Sequence, residues 1–363
     1  MTKLLHAVLA SLLLAAAPAS ADPTTRVTNR VDTFRNSRTF KGAVVAIVKD
    51  GYTYWYNYGW RDNSNGISVT TPVAVASITK TFVGAELVME DQTGIDELTT
   101  LGSLTPIFPG SPTISVTLRD LASMMGGLKR DLSWWPTTRD QLLSTLSDCF
   151  GNTDCTQPKP TYSNWGYQIL GNILAMEEGF ATWTGLNPNW ITTPLNMPKT
   201  CTRGDGCHPS FSTSHAHPFD SNGNELALPN FSDINAPEGG LWTTAQDMAT
   251  WIRYQLFGAT GTGSAITRLN NALPRQRVQL PGGTGYSWRF SNVTGHGITH
   301  PVRWKLGRYQ GFNSYIGISD DAHAGVFVFV NADPVDPAVD SPDNVLRTEL
   351  AEPILGDFFL ANP

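Results

Sequence analysis

Short runs of apolar residues lie near both ends of the chain, and their length is typical of β-strands. The stretch GAVVAIVKDGYTYWYNYGW, residues 42–60, contains two such runs on either side of Asp50–Gly51. An Asp-Gly dipeptide between strand-like runs favours a tight hairpin turn. Near the other end, FNSYIGIS and AGVFVFVNAD are joined by DDAH at residues 320–323. The pattern therefore predicts a pair of strands from each end of the chain.

Between these strands the hydrophobic pattern changes to one that is typical of helices. Residues 76–92 have little polar surface on any side, as expected for a helix buried in a core. Four more helices are predicted over residues 116–128, 165–178, 243–256 and 345–360. We expect Gly126–Gly127 to end the first of these four, and Pro353 to interrupt the last.

Strands at both ends and helices in the middle predict an α+β fold, an α/β sandwich. An antiparallel sheet from N- and C-terminal strands would be flanked by helices and joined to a mostly helical subdomain. We expect a single domain over about residues 22–363, with the sheet subdomain at about 30–75 and 236–363. The helical subdomain would then occupy about residues 76–235.

The first 21 residues have the pattern of an export signal. Lys3 precedes an almost wholly apolar run, Leu4 to Ala17, and Ala19–Ser20–Ala21 fits a small-x-small cleavage site. An uncleaved anchor is the alternative, but the run is short for a membrane span. We therefore expect a signal peptide over residues 1–21, a periplasmic or secreted protein, and no transmembrane segment after cleavage.

The charge of the chain argues against binding to nucleic acid. The formal net charge is −6, and no run rich in lysine and arginine occurs. Nucleic-acid surfaces need a concentrated basic patch, so this class of partner is excluded. We expect a monomer whose partner is a substrate.

The four cysteines form two pairs with equal spacing, Cys149 with Cys155 and Cys201 with Cys207. After export, each pair could close a small local disulfide. Three pairings are possible from the sequence, and local pairing is our prediction. A zinc site is less consistent with the spacing, because zinc ligands usually lie closer together.

The segment ASITKTF places Ser77 three residues before Lys80, at the start of the predicted core helix. A serine hydroxyl becomes a nucleophile when a neighbouring base takes its proton. Burial disfavours the charged form of lysine, so Lys80 could be that base. The alternative is that Ser77 only caps the helix.

Two later segments carry polar residues with complementary chemistry. TYSNWGYQILG places Tyr162 two residues before Asn164, at a junction between loop and helix. RWKLGRYQGFNSYIGI places Lys305 and Gly307 on a predicted strand, where a lysine can bind a carboxylate and a glycine permits close approach of a substrate backbone. A surface turn and an exposed strand lysine are the alternatives.

The order S-x-x-K, Y-x-N, K-x-G resembles that of the serine β-lactamase and penicillin-binding protein superfamily. The tyrosine in the second motif is similar to class C β-lactamases and their relatives, which include D,D-carboxypeptidases, esterases and D-amino-acid amidases. Further segments share the resemblance: TLRDLASMMGGL, APEGGLWTTAQDMATWI, GYSWRF and GFNSYIGI. The likeness covers about residues 30–358, and several weak matches in a fixed order are jointly specific.

The resemblance implies a role for each motif residue. Ser77 would be the acyl-accepting nucleophile, while Lys80 and Tyr162 would share the proton transfer, with the base left open between them. Asn164 would orient the substrate and the lysine. The remaining implied roles belong to the third motif: Lys305 would anchor a carboxylate beside Gly307, and the backbone N–H groups of Ser77 and Arg308 would form an oxyanion hole.

The implied activity is hydrolysis of β-lactams or D-Ala-D-Ala-type peptides through an acyl-enzyme, with a small molecule or a peptidoglycan peptide as substrate. A carboxylesterase or D-amino-acid amidase is one alternative, and a penicillin-binding protein with little turnover is another. Leu306 stands where relatives usually carry a hydroxyl residue, so we interpret it as the loss of a hydrogen bond to the substrate carboxylate.

The resemblance implies no cofactor and no metal. A metal site at His215, His217 and Asp220 is a rival hypothesis, although the family patterns of metal ligands are not met there. A hydrolase of the Ser-His-Asp type is disfavoured because no G-x-S-x-G segment occurs. A sensor that keeps the fold without turnover is the non-enzymatic alternative.

Overall fold

The computed structural model describes residues 23–92, 94–104, 115–150, 158–202, 214–332 and 344–360, with the backbone alone at 23 and 147–150. The predicted signal peptide lies outside these ranges, and so do Cys155 and Cys207. In the part of the chain that is described, no helix has the length and apolar character needed to cross a membrane.

Nine strands occur in the described residues, and six of them form one sheet. In chain order the strands are β1 Gly42–Lys49, β2 Tyr52–Gly59, β3 Val73–Ala74, β4 Cys201–Thr202, β5 Leu241–Thr243, β6 Arg289–Gly295, β7 Ile298–Tyr309, β8 Phe312–Ser319 and β9 Ala324–Val330. The large sheet has the order β2-β1-β9-β8-β7-β6, and all its neighbouring strands are antiparallel. The small sheet has the order β3-β5-β4. N- and C-terminal strands thus share one sheet, as predicted.

The hairpin between β1 and β2 turns at Asp50–Gly51. Lys49 pairs with Tyr52, and both turn residues have positive φ angles, 48° and 84°. Two positive φ angles are the signature of a type I′ turn, whose twist matches that of the strands it joins. This prediction is confirmed.

Both faces of the large sheet are covered. Val44, Ala46 and Val48 of β1 belong to an inner core, whereas Val45 and Ile47 belong to an outer one. Every residue of β1, β8 and β9 is buried. A strand that is buried on both sides needs apolar residues at successive positions, which explains the continuous apolar runs in the sequence.

Ten α-helices complete the described fold. They are α1 Pro23–Ser37, α2 Thr79–Glu90, α3 Leu118–Ala122, α4 Arg139–Phe150, α5 Asn164–Glu177, α6 Trp183–Asn187, α7 Ala236–Gly239, α8 Ala245–Phe257, α9 Ser264–Gln276 and α10 Glu352–Asp357. The sequence pattern did not lead us to expect α1 or α9. A π-helical turn, Leu346–Ala351, precedes α10, and Pro353 stands in the first turn of α10, where a missing N–H is tolerated.

Helix α2 is buried at all twelve of its positions, and Phe82 stacks on Trp251 of α8 with ring centroids 4.1 Å apart. The predicted core helix is thereby confirmed. The helix predicted over 116–128 was too long, because α3 spans only five residues. Met124 adopts a φ of +59°, which is incompatible with a continuing right-handed helix, so the chain leaves the helix before Gly126–Gly127.

Candidate active site

Ser77 lies in a single 3₁₀ turn, Ala76–Ile78, between β3 and α2. Ala76 has a φ of +46°, in the left-handed region that L-residues rarely adopt, and the chain bends sharply there. The Ser77 side chain forms no capping bond at the start of either the turn or α2. The hydroxyl is instead engaged with two other polar side chains, so the capping alternative is not what the structure shows.

Lys80 is fully buried one turn after Ser77. Its Nζ donates to Ser77 Oγ at 3.2 Å, to Asn164 Oδ1 at 2.8 Å and to the carbonyl oxygen of Glu238. An ammonium group has three N–H donors, and here three acceptors surround it. This arrangement fixes the position of the Lys80 nitrogen.

The Tyr162 hydroxyl donates to Ser77 Oγ at 2.7 Å, so the serine oxygen contacts two groups that can carry protons. Three cations lie near the Tyr162 ring: Lys305 Nζ is 4.7 Å from the ring centroid, Arg130 Cζ 4.9 Å and Lys80 Nζ 5.3 Å. Positive charge around a phenol favours its ionised form. The surroundings of Tyr162 therefore suit a group that gives and takes a proton.

Asn164 is the first residue of α5, and it connects the site to the loop that follows α3. Its backbone N–H donates to the carbonyl oxygen of Arg130 at 2.7 Å, and its Nδ2 donates to Asp131 Oδ1 at 2.7 Å. Ser163 donates its hydroxyl to the carbonyl oxygen of Lys129 at 2.6 Å. These bonds hold Arg130 and Asp131 at the site. Sequence reasoning missed both residues, although only Lys129 separates them from the GGL segment.

Lys305 and Gly307 lie on β7 beyond the end of its pairing with β6, which stops at Arg289 opposite Trp304. Lys305 is buried. A Cβ atom on Gly307 would overlap the carbonyl oxygen of Val75. This glycine therefore lets the strand approach the segment before Ser77, whereas the sequence had suggested an approach of substrate backbone. Arg308 follows on the same strand and is half buried.

The structure corrects our interpretation of Leu306. Its side chain belongs to the outer core, together with Trp304 and Tyr315, and is 2% exposed. Neighbouring residues of a strand point to opposite faces, so Leu306 points away from the face that carries Lys305. Leu306 cannot have removed a hydrogen bond to a substrate carboxylate on this side of the sheet.

Glu238 of α7 is a further residue that sequence reasoning missed. Its carbonyl oxygen accepts from Lys80, and its buried carboxylate accepts from Gln168 Nε2 at 2.7 Å. Burial raises the pKa of the Glu238 carboxyl to about 7, against the opposing effect of the Lys80 ammonium. The sequence feature that could have pointed to Glu238 is an acidic residue inside the otherwise apolar segment APEGGLW.

The cysteines and histidines lie away from this cluster of contacts or outside the described residues. Cys201 is disulfide-bonded, and local pairing stays a prediction because Cys207 is not among the described residues. His215 stacks on His217 at 5.1 Å, and His217 Nδ1 is bonded to Glu225 Oε1 at 2.6 Å. Within the described ranges, no three His, Cys, Asp or Glu side chains are grouped in a way that could hold a metal ion.

The sequence matches the family model described as Beta-lactamase over residues 27–349. The chain belongs to the beta-lactamase family. This confirms the resemblance that the three motifs suggested. Solved structures align with this beta-lactamase family member over most of its length. A class C beta-lactamase from Rhodobacter sphaeroides aligns with a TM-score of 0.75 and 18% identity, over 92% of this chain and 98% of that chain.

A beta-lactamase/D-alanine carboxypeptidase from Pseudomonas syringae aligns with a TM-score of 0.73 and 17% identity, over 86% of this chain and 95% of that chain. At such identities the likeness shows a shared fold, and the predicted fold class is thereby confirmed. Among curated proteins, Protein flp from Staphylococcus aureus (strain NCTC 8325 / PS 47) is 24% identical over 313 residues, 80% of this chain. The match spans 59% of that relative's length.

Proposed function

We propose that this beta-lactamase family member is a serine hydrolase that forms an acyl-enzyme on Ser77 and transfers the acyl group to water. The observation that carries the proposal is the double contact of Ser77 Oγ, with the Tyr162 hydroxyl at 2.7 Å and Lys80 Nζ at 3.2 Å. A nucleophile within hydrogen-bond reach of a base, which is itself oriented by a third group, is the usual arrangement for covalent catalysis. Asn164 is that third group, because it accepts from Lys80 at 2.8 Å.

In the proposed reaction, Ser77 Oγ attacks the acyl carbon, and its proton passes to Tyr162 or Lys80. The same pair returns the proton to the leaving group as the acyl bond breaks. Water then attacks the Ser77 ester, and the proton of that water restores the serine hydroxyl. The backbone N–H groups of Ser77 and Arg308 would stabilise the oxyanion in both steps.

The proposed substrates are β-lactams or D-Ala-D-Ala-type peptides, with Lys305 supplying positive charge for the substrate carboxylate. Support comes from the fold, which is shared with a class C beta-lactamase and a beta-lactamase/D-alanine carboxypeptidase. In this proposal the protein is exported, works as a monomer in the periplasm or outside the cell, and meets peptidoglycan peptides there. A penicillin-binding protein with little turnover is the variant of this function in which the acyl-enzyme persists.

The second candidate is hydrolysis of a carboxylic ester or a D-amino-acid amide. It would use the same acyl transfer through Ser77, and the buried side chain of Leu306 does not distinguish it from the first candidate.

A fluorescent penicillin and a short-chain nitrophenyl ester, each tested on the wild type and on Ser77→Ala, would separate these functions. Rapid loss of penicillin indicates a lactamase, labelling without turnover indicates a penicillin-binding protein, and turnover of the ester alone indicates an esterase. Loss of every one of these reactions in Ser77→Ala is the expected result. Activity that survives in the alanine variant would disprove the proposed mechanism.

A further inference from the structure

Glu238 contacts Lys80 through its backbone, and it also places a carboxylate in the same buried region. The carbonyl oxygen of Glu238 accepts from Lys80 Nζ, while its carboxylate interacts electrostatically with the Lys80 ammonium. Glu238 is 4% exposed, and Lys80 is fully buried. A buried carboxylate is costly to keep ionised unless an opposite charge and hydrogen bonds compensate. The proximity of Lys80 supplies such a charge.

Four charged or titratable groups on the surrounding elements interact electrostatically with the Glu238 carboxyl. Lys80 comes from α2, Arg130 and Asp131 come from the loop after α3, and Tyr309 comes from β7. Arg130 and Asp131 are exposed, and Tyr309 is half buried. Solvent screens exposed charges, so the fully buried Lys80 is the dominant charge partner of Glu238.

Gln168 of α5 holds the Glu238 carboxylate. Its Nε2 donates to Glu238 Oε2 at 2.7 Å, and Gln168 is itself buried. A hydrogen bond donated to a carboxylate favours the ionised form. The amide of Gln168 thus fixes the Glu238 carboxylate in place. Like the Lys80 ammonium, it lowers the pKa of this carboxyl group.

We propose that Glu238 is a positioning residue for Lys80, and that its ionised carboxylate, held by Gln168, keeps the Lys80 ammonium directed at Ser77 and Asn164. This inference rests on the proposed function in the form in which Tyr162 takes the Ser77 proton, because an ammonium group at Lys80 cannot accept one. No bond to Glu238 forms or breaks during the reaction. Protonation of Glu238 removes the counter-charge, loosens Lys80 and slows acylation.

The test measures the rate constant of acylation between pH 5.5 and 9, using whichever of penicillin or nitrophenyl ester the wild type accepts. Because burial raises the pKa of Glu238 to about 7, the wild-type rate should fall as the pH drops through that region. In Glu238→Gln this fall should disappear, and the rate above pH 8 should drop by about 10- to 100-fold, as expected for a misplaced catalytic group. Glu238→Asp keeps the negative charge, so its acylation rate should still fall as the pH drops.

Glu86→Gln is the matched control. Glu86 is a buried glutamate like Glu238, but it lies on α2 and accepts hydrogen bonds from Trp183 and Asn187. This control should keep the wild-type pH profile. Gln168→Met provides a second test if Glu238→Gln does not fold. It removes the hydrogen bond that lowers the pKa of Glu238, so the fall in rate should move to higher pH.

A profile of Glu238→Gln that matches the wild type, or a profile of Gln168→Met that does not move, would overturn the inference. In either case, the proposed function is still supported if the wild-type protein forms the acyl-enzyme. A wild-type protein that acylates with neither compound would instead overturn the proposed function, and this inference with it.

Discussion

At the scale of single residues, the bend at Ala76 determines where Ser77 points. A non-glycine residue with a φ of +46° costs on the order of 1–3 kcal/mol, and such strain persists when the surrounding structure holds it. Here the small Ala76 side chain is buried next to Ser77, and the bend directs the hydroxyl toward Lys80 and Tyr162. The local strain thus places the nucleophile beside the two groups that can move its proton.

The three motifs named most of the residues that the structure brings together: Ser77, Lys80, Tyr162, Asn164 and Lys305. Asp131 and Glu238 were missed because neither belongs to one of these three motifs, and their importance lies in contacts across 33 and 158 positions of the chain. The direction of Leu306 was predictable, since the alternation of side chains along a strand already separates it from Lys305.

Replacing Leu306 tests that orientation. Leu306→Thr should lower the free energy of unfolding by about 2 kcal/mol or more, because it leaves space in the outer core and buries a hydroxyl there. Acylation of a carboxylate-bearing substrate should change little. Urea unfolding measures the first effect and initial rates the second.

Leu306→Met is the control for the Leu306→Thr experiment, since a substitution of similar volume should cost less than about 1.5 kcal/mol. A threonine variant with unchanged stability and faster turnover of carboxylate-bearing substrates would contradict the structure. It would support the interpretation that this position faces the cleft.

At the scale of elements, the continuous apolar runs predicted the strands well, because strands that are buried on both faces consist mainly of apolar residues. The limits of the helices were harder to predict. Helix α3 ends early because Met124 takes a positive φ, and methionine gives no signal of such a conformation in the sequence. The start of α8 was predictable from Thr244, whose hydroxyl accepts from the N–H of Asp247 at 3.2 Å.

Glu86 joins two helices of the core. Its carboxylate accepts from Asn187 Nδ2 at 2.7 Å and from Trp183 Nε1, so α2 and α6 meet at a buried acid. Burial raises the pKa of Glu86 from 4.5 to about 8. The folded protein therefore holds a proton that the unfolded chain releases between these two values, and stability falls as the pH rises through this window.

Glu86→Gln should remove this dependence. Between pH 5 and pH 8, the wild type should lose at least about 1 kcal/mol of unfolding free energy relative to the variant. Urea unfolding of both proteins at the two pH values measures the difference, and other titrating groups cancel because both proteins carry them. An equal change in the two proteins would show that Glu86 does not titrate in this range.

At the scale of the whole molecule, one sheet receives strands from both ends of the chain and brings β7 against the turn that carries Ser77. The chain order of strands and helices predicted this fold class, and the family match over residues 27–349 agrees with it. The approach of β7 to Val75 was not predictable from the sequence. It depends on the absence of a Cβ atom at Gly307, and on a hydrogen bond that Ser314 Oγ donates to the Val75 carbonyl oxygen at 3.0 Å. Such contacts between distant segments set the geometry of the site.

The central claim is that Ser77 carries the acyl group. Mass spectrometry of the protein, stopped with acid during reaction with the acyl donor it consumes, tests this most directly. The account predicts one adduct with the mass of the acyl group, found by peptide mapping on Ser77, and no adduct in Ser77→Ala. An adduct on another residue, or one that persists in the alanine variant, would contradict it.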